Sequence, residues 1–134
     1  MFVHETPVRF GDTDAMAHVN NAKFLTYLED ARVGFFRHVS GDLITLGGLI
    51  LARTELDFVR PILFGRGPVR TTVWVEGIGT KSFRMGNRME QDGEVVGRAR
   101  AVMVAYDYQT GGSRVLTDEE RAVLEKYLVD EPAS

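Results

Sequence analysis

The sequence contains no cysteine, which excludes a disulfide framework and any thiol chemistry. Histidine is scarce as well. His4, His18 and His38 stand apart with no HxH or HxxxH pair, so no zinc site is expected and metal-free chemistry, with no cofactor, is favoured. No run approaches the roughly 18–20 apolar residues of a membrane span. The first ten residues carry His4, Glu5 and Arg9 and lack the apolar stretch of a signal peptide. Basic residues are not in excess: 16 Lys and Arg against 19 Asp and Glu give a net charge of −3 and a pI near 5.6. That balance argues against a dedicated nucleic-acid binder. The expected setting is the cytoplasm, away from membranes and nucleic acid.

What remains is an ordinary globular composition, 44% hydrophobic and 26% charged over 134 residues, the size of one domain around one core. A single domain spanning 1–134 is expected. Phe2, Val8 and Phe10 against Glu5 and Arg9 read as a strand ending at Gly11. The turn-rich stretch from Asp12 to Asn21 leads into a helix from Ala22 to about Val39, with Asn20 or Asn21 as its N-cap and Gly41 as its C-cap. Phe24, Leu25, Leu28, Ala31, Phe35 and Val39 trace one face of that helix. Strands follow at Ile50–Phe58, Val69–Ile78, Ser82–Glu90 and Glu94–Asp107, the last two joined through Gln91-Asp92-Gly93 as a hairpin. In the last strand Val95, Gly97, Ala99, Ala101, Met103 and Ala105 are apolar and mostly small, suited to close approach of a helix. Its other face ends in Val102, Val104 and Tyr106, which a second subunit could cover. Thr117 and Glu120 form a capping box for a terminal helix reaching about Leu128. This order has no βαβ alternation and predicts an α+β fold, an antiparallel sheet packed on one central helix.

Three motif-like fragments do not survive inspection. Gly79-Thr80-Lys81-Ser82 resembles the end of a P-loop, but it joins two strands rather than opening a helix. Gly111 to Val115 lacks the last glycine of a nucleophile elbow. Gly65-Arg66-Gly67 is a turn. The loop from Asp12 to Asn21 is different, because it sets Asp12, Asp14 and His18 just before the N-terminus of the long helix. Unpaired N–H groups and partial positive charge at such an end can hold the oxyanion of an attacked carbonyl. A nearby carboxylate can act as nucleophile or base. Asp, Thr and Asn are equally at home there as caps and turn-formers, and spacing alone leaves both readings open.

The segment from Val8 to Arg32, with Phe10-Gly-Asp-Thr-Asp14, His18-Val-Asn-Asn21, Phe24-Leu25 and Glu29-Asp-Ala-Arg32, closely resembles the 4-hydroxybenzoyl-CoA thioesterase-like hotdog family. Glu55 to Pro61, Ile78 to Phe83 and Ala99 to Asp107 fit that family's later strands. The resemblance implies a long helix wrapped by about five antiparallel strands, a homodimer or homotetramer with its site at the subunit interface, and hydrolysis of an acyl-CoA or acyl carrier protein thioester. It makes Asp14 the nucleophile or general base, Asp12 structural, and backbone N–H groups of Val19, Asn20 and Asn21 the oxyanion hole. Ala17 stands where the family has glycine, a departure that bears on loop geometry if the position needs positive φ.

Aspartate carboxylates, ordinarily with a pKa of about 3.9, are ionised at neutral pH but weakly basic, which favours the nucleophilic route. His18, Tyr27 and Glu29 are candidate polar contacts to substrate, Glu29 being the second candidate carboxylate. Arg60, Lys81 and Ser82 are candidates for CoA binding, although a solvated strand face accounts for most cations on the later strands. A non-catalytic acyl-thioester-binding module and a hotdog hydratase or dehydratase are the rival readings.

Overall fold

A computed structural model of the chain describes residues 1–40 and 48–132. Strand β1 (Phe2–Thr6) is followed by a 3-10 turn at Phe10–Asp12 and helix α1 (Asn21–Ser40). Strands β2 (Leu49–Phe58), β3 (Val69–Ile78), β4 (Ser82–Gln91) and β5 (Glu94–Asp107) come next. A two-residue strand β6 (Gly112–Ser113) and helix α2 (Asp118–Glu125) follow. The main sheet has the order β1-β3-β4-β5-β2, antiparallel throughout, with β6 appended to β5. This is the α+β arrangement of one long helix on an antiparallel sheet that the sequence predicts. Among the described residues no helix is long and apolar enough to cross a membrane.

Local chemistry explains most boundaries. Asn20 is the N-cap of α1, its side chain accepting the Ala22 N–H at 2.9 Å; Gly41, the expected C-cap, lies outside the described residues. The buried stripe of α1 is Phe24, Tyr27, Leu28, Ala31, Phe35 and Phe36. Leu25, expected on it, is 49% exposed, because the stripe is centred between Phe24 and Leu28 and leaves Leu25 on its flank. β1 stops at Thr6 rather than Gly11, since Pro7 has no N–H to continue the ladder with β3.

The β4–β5 hairpin turns on Asp92 and Gly93, with φ of 51° and 80°, the left-handed pair that a tight two-residue turn needs. A bulge follows, since Glu90 pairs with Val95 but Met89 with Gly97. The extra residue moves Val96 into the core in place of the expected Val95. Beyond it Ala99, Ala101, Met103 and Ala105 are buried on the helix face as the alternation predicts, while Val102, Val104 and Tyr106 on the other face are half-buried.

Two further features lock the sheet. The indole of Trp74 on β3 lies across Gly86 on β4, where a Cβ would intrude on the ring. At the C-terminus the Thr117–Glu120 capping box forms as expected, and Arg114 donates to both Glu120 oxygens at 2.8 and 2.9 Å. α2 ends at Glu125 rather than near Leu128, because Val75 accepts from the Val129 N–H and donates to the Tyr127 carbonyl. The tail thus continues the β3 edge past β1.

The overlap at Gly86 sets a stability test. Gly86→Ala should lower the urea midpoint, by about 1–3 kcal/mol of stability for an overpacked site. A variant as stable as the parent would mean the ring moves aside freely.

Candidate active site

The loop before α1 is built around one buried carboxylate. Asp12 is 4% exposed and accepts from the Tyr27 hydroxyl at 2.7 Å and from Arg9 Nε at 3.3 Å. Burial pushes its carboxyl up, but the Tyr27 and Arg9 hydrogen bonds and the charges of Arg9 and Lys23 outweigh it and hold it below the usual aspartate range. Tyr27 is shifted the other way, its hydroxyl kept protonated by burial and by donation to Asp12. Two turns of helix and the loop are thereby joined.

The backbone closes the rest of the loop. Asn20 N–H donates to Asp12 O at 2.9 Å and Asp14 N–H to His18 O at 2.9 Å, so residues 12–20 fold back as a narrow hairpin. Val19 N–H donates to Ile62 O at 2.8 Å, tying the hairpin to the segment after β2. That segment is held in turn by Gln91, which bonds both Leu63 backbone groups. At the tip Asp14 O accepts the Ala17 N–H, and Asp14 Oδ1 accepts the Met16 N–H at 2.9 Å. Ala17 has φ +60°, the left-handed conformation that glycine adopts at no steric cost.

These bonds decide which groups remain able to meet a substrate. Asp14 is exposed and its Oδ2 has no partner among the described residues. Of the three backbone donors expected for an oxyanion, Val19 and Asn20 are already bonded within the protein. The Asn21 N–H, first in α1, is without an acceptor among the described residues. The oxyanion reading therefore narrows from three donors to Asn21. Tyr27, proposed from sequence as a substrate contact, has no exposed surface; its hydroxyl is taken by Asp12.

The other expected site residues divide by position. His18 is half-buried next to the tip of the hairpin, where its carbonyl accepts the Asp14 N–H, and Glu29 is exposed two turns along α1. Arg60 lies at the same end of the sheet as the loop, bonded to Val95 O and paired with Glu94. Lys81 and Ser82 lie at the other end, past the ten residues of β4, about 30 Å away. One chain does not bring them to Asp14.

Sequence reading passed over an apolar group at the same loop. Phe10 and Met16 are 75% and 73% exposed, and Phe10 meets Phe64 edge-on at a centroid distance of 5.6 Å. Phe10 and Met16 thus put apolar surface on the loop that carries Asp14. Phe10 reads from sequence as an inward position of the first strand; β1 ends at Thr6, and the 3-10 turn at Phe10–Asp12 leaves its ring exposed. Among the described residues no group of three or more His, Cys, Asp or Glu side chains is arranged to hold a metal ion.

Two outcomes test the loop's construction. Ala17→Gly should stabilise the protein by roughly 0.5–1 kcal/mol, since Ala17 is exposed and relief of left-handed strain exceeds the added chain entropy; a lower urea midpoint would contradict it. Tyr27→Phe should cost about 1.5–3 kcal/mol at neutral pH, the worth of a hydrogen bond to a charged group. Asp12's carboxyl is depressed on folding. Its contribution is therefore complete above the unfolded value of about 3.9 and is lost as pH falls through the folded value. The gap between Tyr27→Phe and the parent should accordingly narrow below pH 4 in unfolding curves, and a pH-independent gap would break the link to Asp12.

Comparison with known proteins identifies the family and fold. Residues 8–129 match the family model of the thioesterase-like superfamily. A thioesterase from Thermus thermophilus, solved with coenzyme A and zinc, is 34% identical with a TM-score of 0.84, covering 93% of this chain and 92% of that one. A structure described as a predicted thioesterase from Bacillus stearothermophilus is 25% identical with a TM-score of 0.89, covering 98% of each chain. The uncharacterized protein YsmA of Bacillus subtilis is 27% identical over 129 residues, 92% of this chain and 84% of that protein. With its long helix wrapped by an antiparallel sheet, the chain belongs to the thioesterase-like superfamily and has the hotdog fold.

Proposed function

We propose that the protein hydrolyses an acyl-CoA thioester, with Asp14 as the attacking carboxylate or general base and the Asn21 N–H as an oxyanion donor. The observation that carries this reading is an exposed Asp14 with Oδ2 open, in a loop that runs into an unpartnered helix N-terminal N–H at Asn21 while the neighbouring Val19 and Asn20 N–H groups are bonded within the protein. In the nucleophilic route an Asp14 oxygen bonds to the thioester carbon, and the negative charge on the carbonyl oxygen is stabilised at Asn21. The carbon–sulfur bond then breaks, CoA leaves as its thiolate and takes a proton. Water hydrolyses the mixed anhydride, returning Asp14 and the free acid. A preorganised donor of this type is worth about 10²–10³ in rate.

CoA as the carrier is favoured by the relative crystallised with coenzyme A. Arg60 lies at the loop's end of the sheet, where it could meet the phosphates. Lys81 and Ser82 would reach the site only from a second copy of the chain. The ten-residue β2 at the sheet edge supports such a copy, because its outer side is unpaired among the described residues and Leu51 and Phe58 are 44% and 50% exposed. Long edges of that kind call for a covering partner. A two-fold axis pairing two β2 edges would turn one sheet end-for-end relative to the other. Lys81 and Ser82 of each copy would then lie at the end that carries the other's Asp14.

A panel of acyl-CoAs assayed with a thiol-detecting reagent tests the proposal. At least one should be hydrolysed, and Asp14→Asn should lower its kcat by about 100-fold or more. Unchanged turnover in that variant would remove Asp14 from the chemistry. Binding without hydrolysis of any thioester would instead favour an acyl-binding module.

A further inference from the structure

Sulfur is unevenly placed in this protein. There is no cysteine, so methionine is the only sulfur that an oxidant can meet. Three of the five methionines belong to the buried clusters between sheet and helix: Met85, Met89 and Met103 are at most 4% exposed. Met1 is exposed ahead of β1, away from the loop before α1. Met16 is exposed on that loop, two residues from Asp14. Access of an oxidant follows exposure, so the sulfur nearest the proposed chemistry is also one of the two most open to attack.

Met16 is built into the turn that positions Asp14. Its N–H donates to Asp14 Oδ1 at 2.9 Å, and the Asp14 carbonyl accepts the Ala17 N–H at 3.1 Å. One residue on, the Ala17 carbonyl accepts the Phe64 N–H at 3.3 Å, and the Phe64 ring meets Phe10. The thioether therefore belongs to an apolar rim around an exposed carboxylate. Oxidation turns that soft, apolar group into a sulfoxide, whose oxygen accepts hydrogen bonds and has no proton to give. Beside Asp14 it puts a second partial negative charge where a thioester has to bring its carbonyl. It also draws water to a rim that is apolar in the reduced protein.

We propose that Met16 is an oxidation site whose sulfoxide depresses turnover at Asp14, so that a peroxide lowers activity and a methionine sulfoxide reductase restores it. The inference rests on the thioesterase reading above and adds a regulation of that same site. In the oxidation step the sulfur lone pair attacks one oxygen of hydrogen peroxide. An S–O bond forms as the O–O bond breaks. The sulfur gives up two electrons, and the departing hydroxide takes the proton of the transferred oxygen and leaves as water. The reductase reverses the change at the expense of a dithiol.

The test follows oxidation and turnover separately. The protein is treated with graded hydrogen peroxide, freed of it, and divided between peptide mass spectrometry and the thiol-release assay. Met16 should gain one oxygen about tenfold faster or more than Met85, Met89 and Met103. The kcat/KM for an acyl-CoA substrate should fall in step with Met16 conversion, by about fivefold or more when it is complete, and recover with the reductase. Met1 supplies the comparison. In Met16→Leu the same treatment should convert Met1 and leave kcat/KM at its untreated value. Met16→Gln, which sets a polar group there without oxidant, should have a lower kcat/KM than Met16→Leu. Oxidation of the buried methionines as fast as Met16 overturns the inference. So does full conversion of Met16 with activity unchanged, an equal loss in Met16→Leu, or a Met16→Gln as active as Met16→Leu. If no thioester is hydrolysed the enzymatic reading fails separately. Calorimetry with an acyl-CoA then decides, and equal Kd values before and after oxidation overturn the inference.

Discussion

The Asp12 carboxylate is the constraint on which the rest of the site depends. It lies under the loop, bonded to the Tyr27 hydroxyl of α1, while its own carbonyl receives the Asn20 N–H. A buried charge without such partners would be strongly unfavourable. The loop therefore has one way to fold that satisfies Asp12. That arrangement directs Asp14 outward and leaves the first N–H of α1 free. The two aspartates of Asp-Thr-Asp thus differ in environment more than in chemistry: one is enclosed, with its Oδ2 shared by Tyr27 and Arg9, and the other is exposed at the tip of the loop.

The same economy runs through the sheet. Trp74 needs a glycine opposite it, and Gly86 provides that space. Ala101 and Ala105 keep the helix face of β5 low, in one buried cluster with Ala31, Phe35 and Phe36 of α1.

Much of this was readable from the residues. The strand over β3, the alternation of β5 beyond its bulge, the Asp-Gly turn, the Asn20 cap and the Thr117–Glu120 box each rest on local chemistry, and each lies where that chemistry places it. The Asp-Thr-Asp loop pointed to acyl chemistry only with the family resemblance beside it. What could not be read depends on distant contacts. Nothing in the local sequence reveals that Ile62 and Asp12 take the Val19 and Asn20 N–H groups. Tyr27 reads as a polar helix residue until the burial of Asp12 beneath it is known. A bulge that moves Val96 inward is invisible to a two-residue period.

The most direct test of the account is a crystal structure with an acyl-CoA analogue whose thioester is replaced by an unreactive ketone. The account predicts the ketone oxygen on the Asn21 N–H and an Asp14 oxygen about 3–3.5 Å from the carbonyl carbon. It also predicts Asp12 still bonded to Tyr27 and the Val19 and Asn20 N–H groups unmoved. A ketone oxygen bound elsewhere, with Asn21 facing solvent, would contradict it.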